Sequence, residues 1–157
     1  MLYIQDPTGS YVPASKETVF AVARRLSSYQ LRRGSIIESS QSASGAIGQK
    51  IGGYQQEMFA CLFLDNKHRV LAFEEMFRGT INLNVVYPRE VVKEALRWNA
   101  AAVILAHNHP SGETLPSKQD IELTRVLKDI LKIVDVRVLD HLIVGDSVVS
   151  LADSGLL

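Results

Sequence analysis

The sequence of 157 residues predicts a mixed α/β domain in which helices flank a sheet. Short apolar runs typical of buried strands alternate with segments whose apolar residues recur every three or four positions, as in amphipathic helices. A hydrophobic fraction of 46% and a charged fraction of 22% fit an ordinary soluble globular protein. The clearest strand is Met58–Leu64, and the clearest helix covers residues 117–133.

The N-terminal third is less regular. Residues 1–14 are rich in turn residues and show no clear periodicity. Ser15 is positioned to cap a helix whose apolar residues are spaced three and four apart. These apolar residues are Val19, Val22, Ala23 and Leu26. A serine- and glycine-rich stretch follows and predicts a short helix around residues 43–51.

Composition changes within residues 34–40, which predicts a domain boundary there. We therefore divide the chain into an N-terminal extension, residues 1–38, and a second domain, residues 39–157.

The second domain contains most of the predicted elements. Turn residues at 65–68 separate two strands as in a hairpin, and Pro88 suits the first turn of a helix. The predicted strands are residues 58–64, 69–77, 80–86, 101–106, 136–144 and 148–151, and the predicted helices are residues 88–99 and 117–133. The residues expected on the inner faces of these helices are Val91, Val92, Ala95, Leu96, Leu123, Leu127, Ile130 and Leu131.

Charge and cysteine content restrict the function. Lys+Arg and Asp+Glu both total 17, whereas proteins that bind nucleic acid backbones usually carry a basic excess. DNA binding is therefore open but not favoured. The single cysteine, Cys61, excludes an internal disulfide and is expected in the core. We find no signal peptide and no apolar stretch of about 18 residues, so we expect a cytoplasmic protein without a membrane partner.

The segment from His107 to Asp120 carries the strongest functional signal. His107 and His109 follow the apolar run 101–106, and residues two apart on a strand point to the same side. Asp120 follows eleven positions after His109. Two imidazoles and one carboxylate leave the fourth tetrahedral position of a zinc ion for water, as in catalytic rather than structural zinc sites.

A simpler interpretation of this segment exists. Two histidines can be one residue apart by chance, and Ser117 with Asp120 is also the pattern of a helix N-terminus, with a serine cap and an acidic third residue. The two interpretations are compatible, because the backbone of Ser117 can begin the helix while its hydroxyl serves the site.

Hydrolysis at such a zinc site also needs an acid/base group. Glu74 and Glu75 are adjacent in the otherwise apolar run 71–77, and on a strand they point to opposite faces, so at most one can face the metal. Alternatively, both lie on the exposed side of an edge strand.

The spacing His107-x-His109-x7-Ser117-x2-Asp120, with an upstream glutamate, resembles the JAMM motif of MPN+/JAB-domain metalloproteins. Residues 77–82, 87–90, 99–102, 107–112 and 140–145 more closely resemble the RadC family, and the resemblance covers about residues 55–157. The N-terminus lacks the helix-hairpin-helix-like region of full-length RadC proteins and is more similar to short RadC-like proteins of prophages and mobile elements.

The resemblance implies a cytidine-deaminase-like, three-layer α/β JAB/MPN fold with a mixed sheet. It implies one Zn²⁺ held by His107, His109 and Asp120, with Ser117 stabilising the oxyanion. In the family pattern, the catalytic glutamate lies five residues before the glycine of the Gly-Thr pair, which selects Glu74 over Glu75. For His141 we expect a structural hydrogen-bonding role rather than a ligand role.

These expectations favour a zinc-dependent JAMM-type hydrolase that cleaves a peptide or isopeptide bond in a protein or peptide substrate. The alternatives are a nucleic-acid-processing or DNA-repair accessory of a mobile element, and a non-catalytic binding scaffold. A homodimer is left open.

Overall fold

The computed structural model describes residues 1–79 and 86–157. The predicted strand at residues 80–86 lies outside the described residues, apart from Val86. The described residues form a mixed α/β fold in which a five-stranded mixed sheet lies between helices on both faces. The predicted fold class is confirmed.

The elements follow the chain from a short N-terminal hairpin to the last strand of the main sheet. They are β1 (Tyr3–Gln5), β2 (Tyr11–Pro13), α1 (Lys16–Gln30), α2 (Ser40–Ile51), β3 (Met58–Leu64), β4 (Val70–Arg78), α3 (Pro88–Arg97), β5 (Ala102–Asn108), α4 (Lys118–Ile133), β6 (Arg137–Val144) and β7 (Val148–Ser150). Within the described residues, no helix is both long enough and apolar enough to cross a membrane.

The topology brings several chain segments to one edge of the sheet. The strand order is β4-β3-β5-β6-β7, and only β5 and β6 are parallel. The carboxyl ends of β5 and β6 therefore meet at this edge, where the antiparallel β3 begins and β4 ends. Helix α4 connects β5 to β6 and begins near the same edge.

The sheet is buried on both faces, which explains the continuous apolar runs of β3 and β5. One face packs against α2, and the other packs against α3 and α4. The α2 face includes Ala46, Ile47, Ile51, Leu62, Ile104 and Leu142. The opposite face includes Phe59, Cys61, Phe63, Val91, Leu105, Leu127 and Leu131.

Several sequence predictions differ from the structure. The hairpin of β1 and β2 lies in the stretch without periodicity, because strands of three residues are too short to produce a periodic signal. Leu96, predicted on the inner face of α3, is 57% exposed. Two apolar residues of α1, Val22 and Leu26, are also exposed. The predicted division at residue 38 stays a prediction.

Asn108, the last residue of β5, connects the edge of the sheet to the segment before β3. Its Oδ1 accepts a hydrogen bond from the backbone N–H of Met58 at 2.6 Å. Its Nδ2 donates to the carbonyl oxygens of Tyr54 and Gln56 at 3.2 and 3.1 Å. Asn108 is 1% exposed, so these bonds replace water at three backbone groups.

We predict that Asn108→Ala lowers the free energy of unfolding by about 2–4 kcal/mol, because it removes three hydrogen bonds and leaves buried polar groups unpaired. Asn66, exposed in the turn between β3 and β4, provides the control, and Asn66→Ala should change stability by less than about 0.5 kcal/mol. Urea unfolding monitored by circular dichroism measures both. Equal midpoints for the two variants would contradict the role given to Asn108.

Candidate metal centre

Three predicted ligands come together at the carboxyl end of β5. His107 is the second-last residue of that strand, His109 follows the strand directly, and Asp120 lies in the first turn of α4. The Nε2 atoms of His107 and His109 are 2.9 Å apart. Asp120 Oδ1 lies 3.3 Å from His107 Nε2, and Asp120 Oδ2 lies 3.6 Å from His109 Nε2. The three residues form a group whose ligand atoms are close enough to share an ion.

The chemistry of these atoms fits a cation. A carboxylate offers only acceptors, and His109 Nδ1 lies 2.9 Å from the carbonyl oxygen of Glu113, to which it must donate. A neutral His109 ring therefore turns a lone pair at Nε2 towards His107 and Asp120. Two ligand atoms at typical zinc distances and the tetrahedral angle lie about 3.3 Å apart. The observed separations of 2.9–3.6 Å, in which each histidine is measured to a different Asp120 oxygen, are close to this value.

The loop between β5 and α4 is held against the turn between β6 and β7. The backbone N–H of His109 donates to the carbonyl of Val144 at 2.7 Å, and that of Asp146 donates to Gly112 at 2.9 Å. Gly112 has a φ of +84°, and a Cβ there would collide with the carboxylate of Asp146. A Cβ on Gly145 would collide with the backbone of the same loop. The loop that carries His109 therefore requires glycine at both contact points.

Ser117 and Asp120 form a reciprocal capping box at the start of α4. The Ser117 hydroxyl oxygen accepts from the Asp120 N–H at 3.0 Å, and Asp120 Oδ2 accepts from the Ser117 N–H at 2.7 Å. The hydroxyl itself, and not only the backbone of Ser117, thus begins the helix. Its oxygen serves the cap while its proton can still be donated to another group. The cap and the predicted site role of Ser117 are therefore compatible.

The electrostatics of the centre keep Asp120 ionised. Partial burial raises the pKa of this carboxyl, but the hydrogen bond and charge that His107 supplies when its ring is protonated, together with the capping bonds from Ser117, outweigh burial and hold the pKa well below its usual range. Asp120 is a carboxylate at neutral pH and needs no proton loss before it can bind a cation.

The two glutamates of β4 lie on opposite faces of the sheet. Phe77 pairs with Phe59 and Glu75 pairs with Ala60, so Met76 is an extra residue that forms a bulge. Beyond the bulge Glu74 pairs with Cys61, whose side chain belongs to the α3/α4 face.

Phe59 in turn pairs with His107, so Glu74 shares the face of His107. It is not part of the group whose ligand atoms could share an ion. Its absence from this group is compatible with an acid/base that acts on water rather than as a ligand.

Glu75 is engaged elsewhere. Its Oε1 accepts from the Tyr54 hydroxyl at 2.7 Å, and its Oε2 lies 3.5 Å from Arg78 Nη2. Both glutamates border a groove that also contains Lys50, because β4 is an edge strand. The groove therefore does not show which glutamate shares the face of His107, whereas the pairing register does. The geometry favours Glu74 over Glu75 for the acid/base role, which stays a prediction.

His141 lies behind His107 and not among the ligand atoms. Its Nε2 is 2.8 Å from His107 Nδ1, on the ring edge that faces away from Asp120. Its Nδ1 is 2.6 Å from the hydroxyl of Thr124, a residue that the sequence analysis did not identify. Thr124 follows Asp120 by one helical turn, and only this spacing could have indicated it. Complete burial, and then the charge that His107 carries when it is protonated, lower the pKa of His141 well below its ordinary value of 6.5.

Comparison with known proteins places the chain among bacterial relatives. A sequence model of the family described as "RadC-like JAB domain" matches residues 37–156. A UPF0758 protein of Thioalkalivibrio sulfidiphilus is 53% identical over 149 residues, which cover 95% of this chain and 67% of that protein. A UPF0758 protein of Pseudomonas syringae pv. tomato is 52% identical over 145 residues, covering 92% and 65%.

A UPF0758 protein of Vibrio cholerae is 54% identical over 125 residues, covering 80% of this chain and 79% of that protein. The chain thus spans about two thirds of the length of the first two relatives. None of these names states an activity, so the chemistry has to be argued from the site.

The buried His141 predicts a pH dependence of stability in the metal-free protein. Its folded-state pKa is lowered, so below pH 6.5 the unfolded state binds a proton that the folded state does not. The free energy of unfolding should therefore fall as pH decreases from 6.5, by up to about 1.4 kcal/mol per pH unit for this proton. In His141→Gln, urea unfolding between pH 5 and 7 should show a slope smaller by about one proton. Identical slopes would contradict the assignment.

Proposed function

The chain belongs to the family of RadC-like JAB domains, and on this basis we propose that it is a zinc-dependent hydrolase that cleaves an amide bond in a protein or peptide. The observation that carries the proposal is the convergence of two imidazole nitrogens and the Asp120 carboxylate, with the nitrogens 2.9 Å apart and each within 3.3–3.6 Å of one carboxylate oxygen. Three protein ligands leave one tetrahedral position open, which is typical of catalytic rather than structural zinc.

His107, His109 and Asp120 would hold the ion. The set of two nitrogens and one oxygen suits zinc, although the same set also occurs in non-haem iron proteins. When bound, zinc supplies a Lewis acid that polarises the scissile carbonyl and makes water ionise near neutral pH. The protein contributes an anionic Asp120 and two histidine rings whose far nitrogens are already hydrogen-bonded, so the ligand atoms need little rearrangement.

Glu74 is the proposed acid/base. It shares the sheet face of His107 through the bulge at Met76, and it is half-buried and pairs with Cys61 of β3. In the proposed reaction Glu74 takes a proton from the attacking water and returns it to the leaving amine, so that one carboxylate serves both steps.

Ser117 is the proposed donor to the oxyanion. Its hydroxyl oxygen is fixed by the Asp120 N–H at 3.0 Å, which directs the remaining proton away from the helix. Preorganised donors of this kind stabilise the charge that develops on a carbonyl oxygen as water attacks. The capping bond therefore supports the proposed role, because it restricts the rotation of the hydroxyl.

We predict that protein purified without added metal contains about one zinc per chain, and that the double variant His107→Ala/His109→Ala contains none. The test is elemental mass spectrometry with the folded state checked by circular dichroism. His68→Ala, in the turn before β4, is the control and should keep the metal. Iron in place of zinc, or a folded wild type that takes up no zinc, would overturn the proposal.

We predict that Glu74→Gln retains zinc but loses turnover by a factor of at least about 10². The adjacent Glu75→Gln provides a matched control and should retain most of the activity, since Glu75 faces the other side of the sheet. The assay is a panel of fluorogenic peptides and isopeptide-linked conjugates, with zinc content measured on the same samples. A fully active Glu74→Gln protein would exclude the assignment, and inactivity confined to Glu75→Gln would move the role to Glu75.

A further inference from the structure

Two buried side chains outside the ligand set form a hydrogen-bonded chain that ends on His107. We propose that Thr124 and His141 are positioning residues that keep the proton of the His107 ring on Nδ1 and so present Nε2 to the metal as a lone pair. The inference rests on the proposed metal site, and it assigns a function to two residues that neither bind the ion nor contact a substrate.

The direction of the chain is set by Thr124. Its hydroxyl oxygen lies 2.6 Å from the carbonyl oxygen of Asp120. Two oxygens at this distance require a hydrogen between them, and a carbonyl has none, so the hydroxyl donates to Asp120. The hydroxyl has a single proton and therefore accepts from His141 Nδ1, which lies 2.6 Å away.

The next step follows from the burial of His141. The residue is completely buried, and a charged imidazole at such a position without a carboxylate partner is strongly disfavoured. A neutral ring has one proton, which is already used at Nδ1 towards Thr124. His141 Nε2 is consequently a lone pair, and at 2.8 Å from His107 Nδ1 it can only accept.

His107 must therefore carry its proton on Nδ1. In the neutral ring, which is the form that binds a metal, Nε2 is then a lone pair on the ring edge that faces His109 and Asp120. The carbonyl of Glu113 fixes the same tautomer of His109. For His109 a backbone group suffices, but His107 lies inside the sheet, where the backbone carbonyls pair with neighbouring strands and a side chain has to serve.

The position of His141 on strand β6 is set by a bulge and by hydrogen bonds of the neighbouring Asp140. A bulge at Leu139 allows Val138 and His141 to face the same side of β6. Asp140 accepts hydrogen bonds from the backbone N–H groups of His141 and Ala152 at 2.7 and 3.0 Å and from the Ser150 hydroxyl at 2.6 Å. The backbone of His141 is thus fixed in strand β6, and its imidazole contacts Thr124 of helix α4.

The hydrogen-bonded chain from Asp120 through Thr124 and His141 to His107 links helix α4 to strand β5. Thr124 and Asp120 are one turn apart on α4, and Thr124 is linked through His141 to His107 on β5. Two of the three ligands are therefore connected through this chain as well as through the proposed ion. His141 is excluded as a fourth ligand, because both of its nitrogens are engaged, and the open position stays available to water.

The first test is metal affinity, which does not depend on catalysis. Metal-free protein is titrated with Zn²⁺ in competition with a chromophoric chelator, and with Co²⁺ to record the visible spectrum of the site. Thr124→Val keeps the shape but removes the hydroxyl, and it should weaken zinc affinity about 10- to 100-fold with unchanged stoichiometry. Thr124→Ser retains the hydroxyl and should bind zinc nearly as tightly as the wild type.

The second test measures the proton positions directly. In metal-free wild type labelled with ¹⁵N-histidine, two-bond ¹H–¹⁵N spectra are recorded about 1.5–2 pH units above the ordinary histidine pKa. They should show the proton on Nδ1 of both His107 and His141. In Thr124→Val this preference of His141 should be lost.

The outcomes separate the two proposals. A wild type that binds no zinc overturns the proposed function. Equal zinc affinities of Thr124→Val and Thr124→Ser overturn the positioning role alone. If Thr124→Val fails to fold, the spectrum of the wild type decides, and a proton on Nε2 of His141 overturns the inference.

Discussion

Three side chains whose acceptor atoms approach one another at 2.9–3.6 Å are the constraint on which the rest of the centre depends. Lone pairs this close repel unless a proton or a cation lies between them, and their desolvation adds to the cost. Each acceptor is therefore fixed from behind: Asp120 by the N–H of Ser117, His109 by the carbonyl of Glu113, and His107 by His141. Because these supports use backbone groups and buried side chains, the arrangement is preorganised before any ion binds.

Two single-residue bulges decide which side chains share the sheet face of His107. Met76 in β4 puts Glu74 on the face of His107, and Leu139 in β6 puts His141 there as well. A strict alternation of side chains starting from Phe77, the residue that pairs with Phe59, would have selected Glu75 instead. The bulges thus change the faces on which Glu74 and His141 lie without changing the strand order.

The local features of the candidate site could be predicted from the sequence, whereas the features that depend on residues far apart in the chain could not. The strand that carries His107 and the helix cap at Ser117 depend on neighbours within four residues, so apolar runs and capping residues in the sequence predict them. The support of His107 by His141 joins residues 34 positions apart, and the bulges depend on the partner strand. The resemblance to the RadC family supplied the choice of Glu74, which periodicity alone left open between two adjacent acids.

The presence of two adjacent glutamates has a structural explanation. Glu75 accepts from the Tyr54 hydroxyl, and the carbonyl of Tyr54 accepts from Asn108 at the end of the strand that carries His107. Glu75 therefore stabilises the segment before β3 and, through Asn108, the edge of the sheet on which the ligands lie. Glu74 has its side chain on the opposite face and is not needed for this contact. The bulge at Met76 thus divides the pair into one acid that stabilises the scaffold and one, Glu74, to which the proposed function assigns the acid/base role.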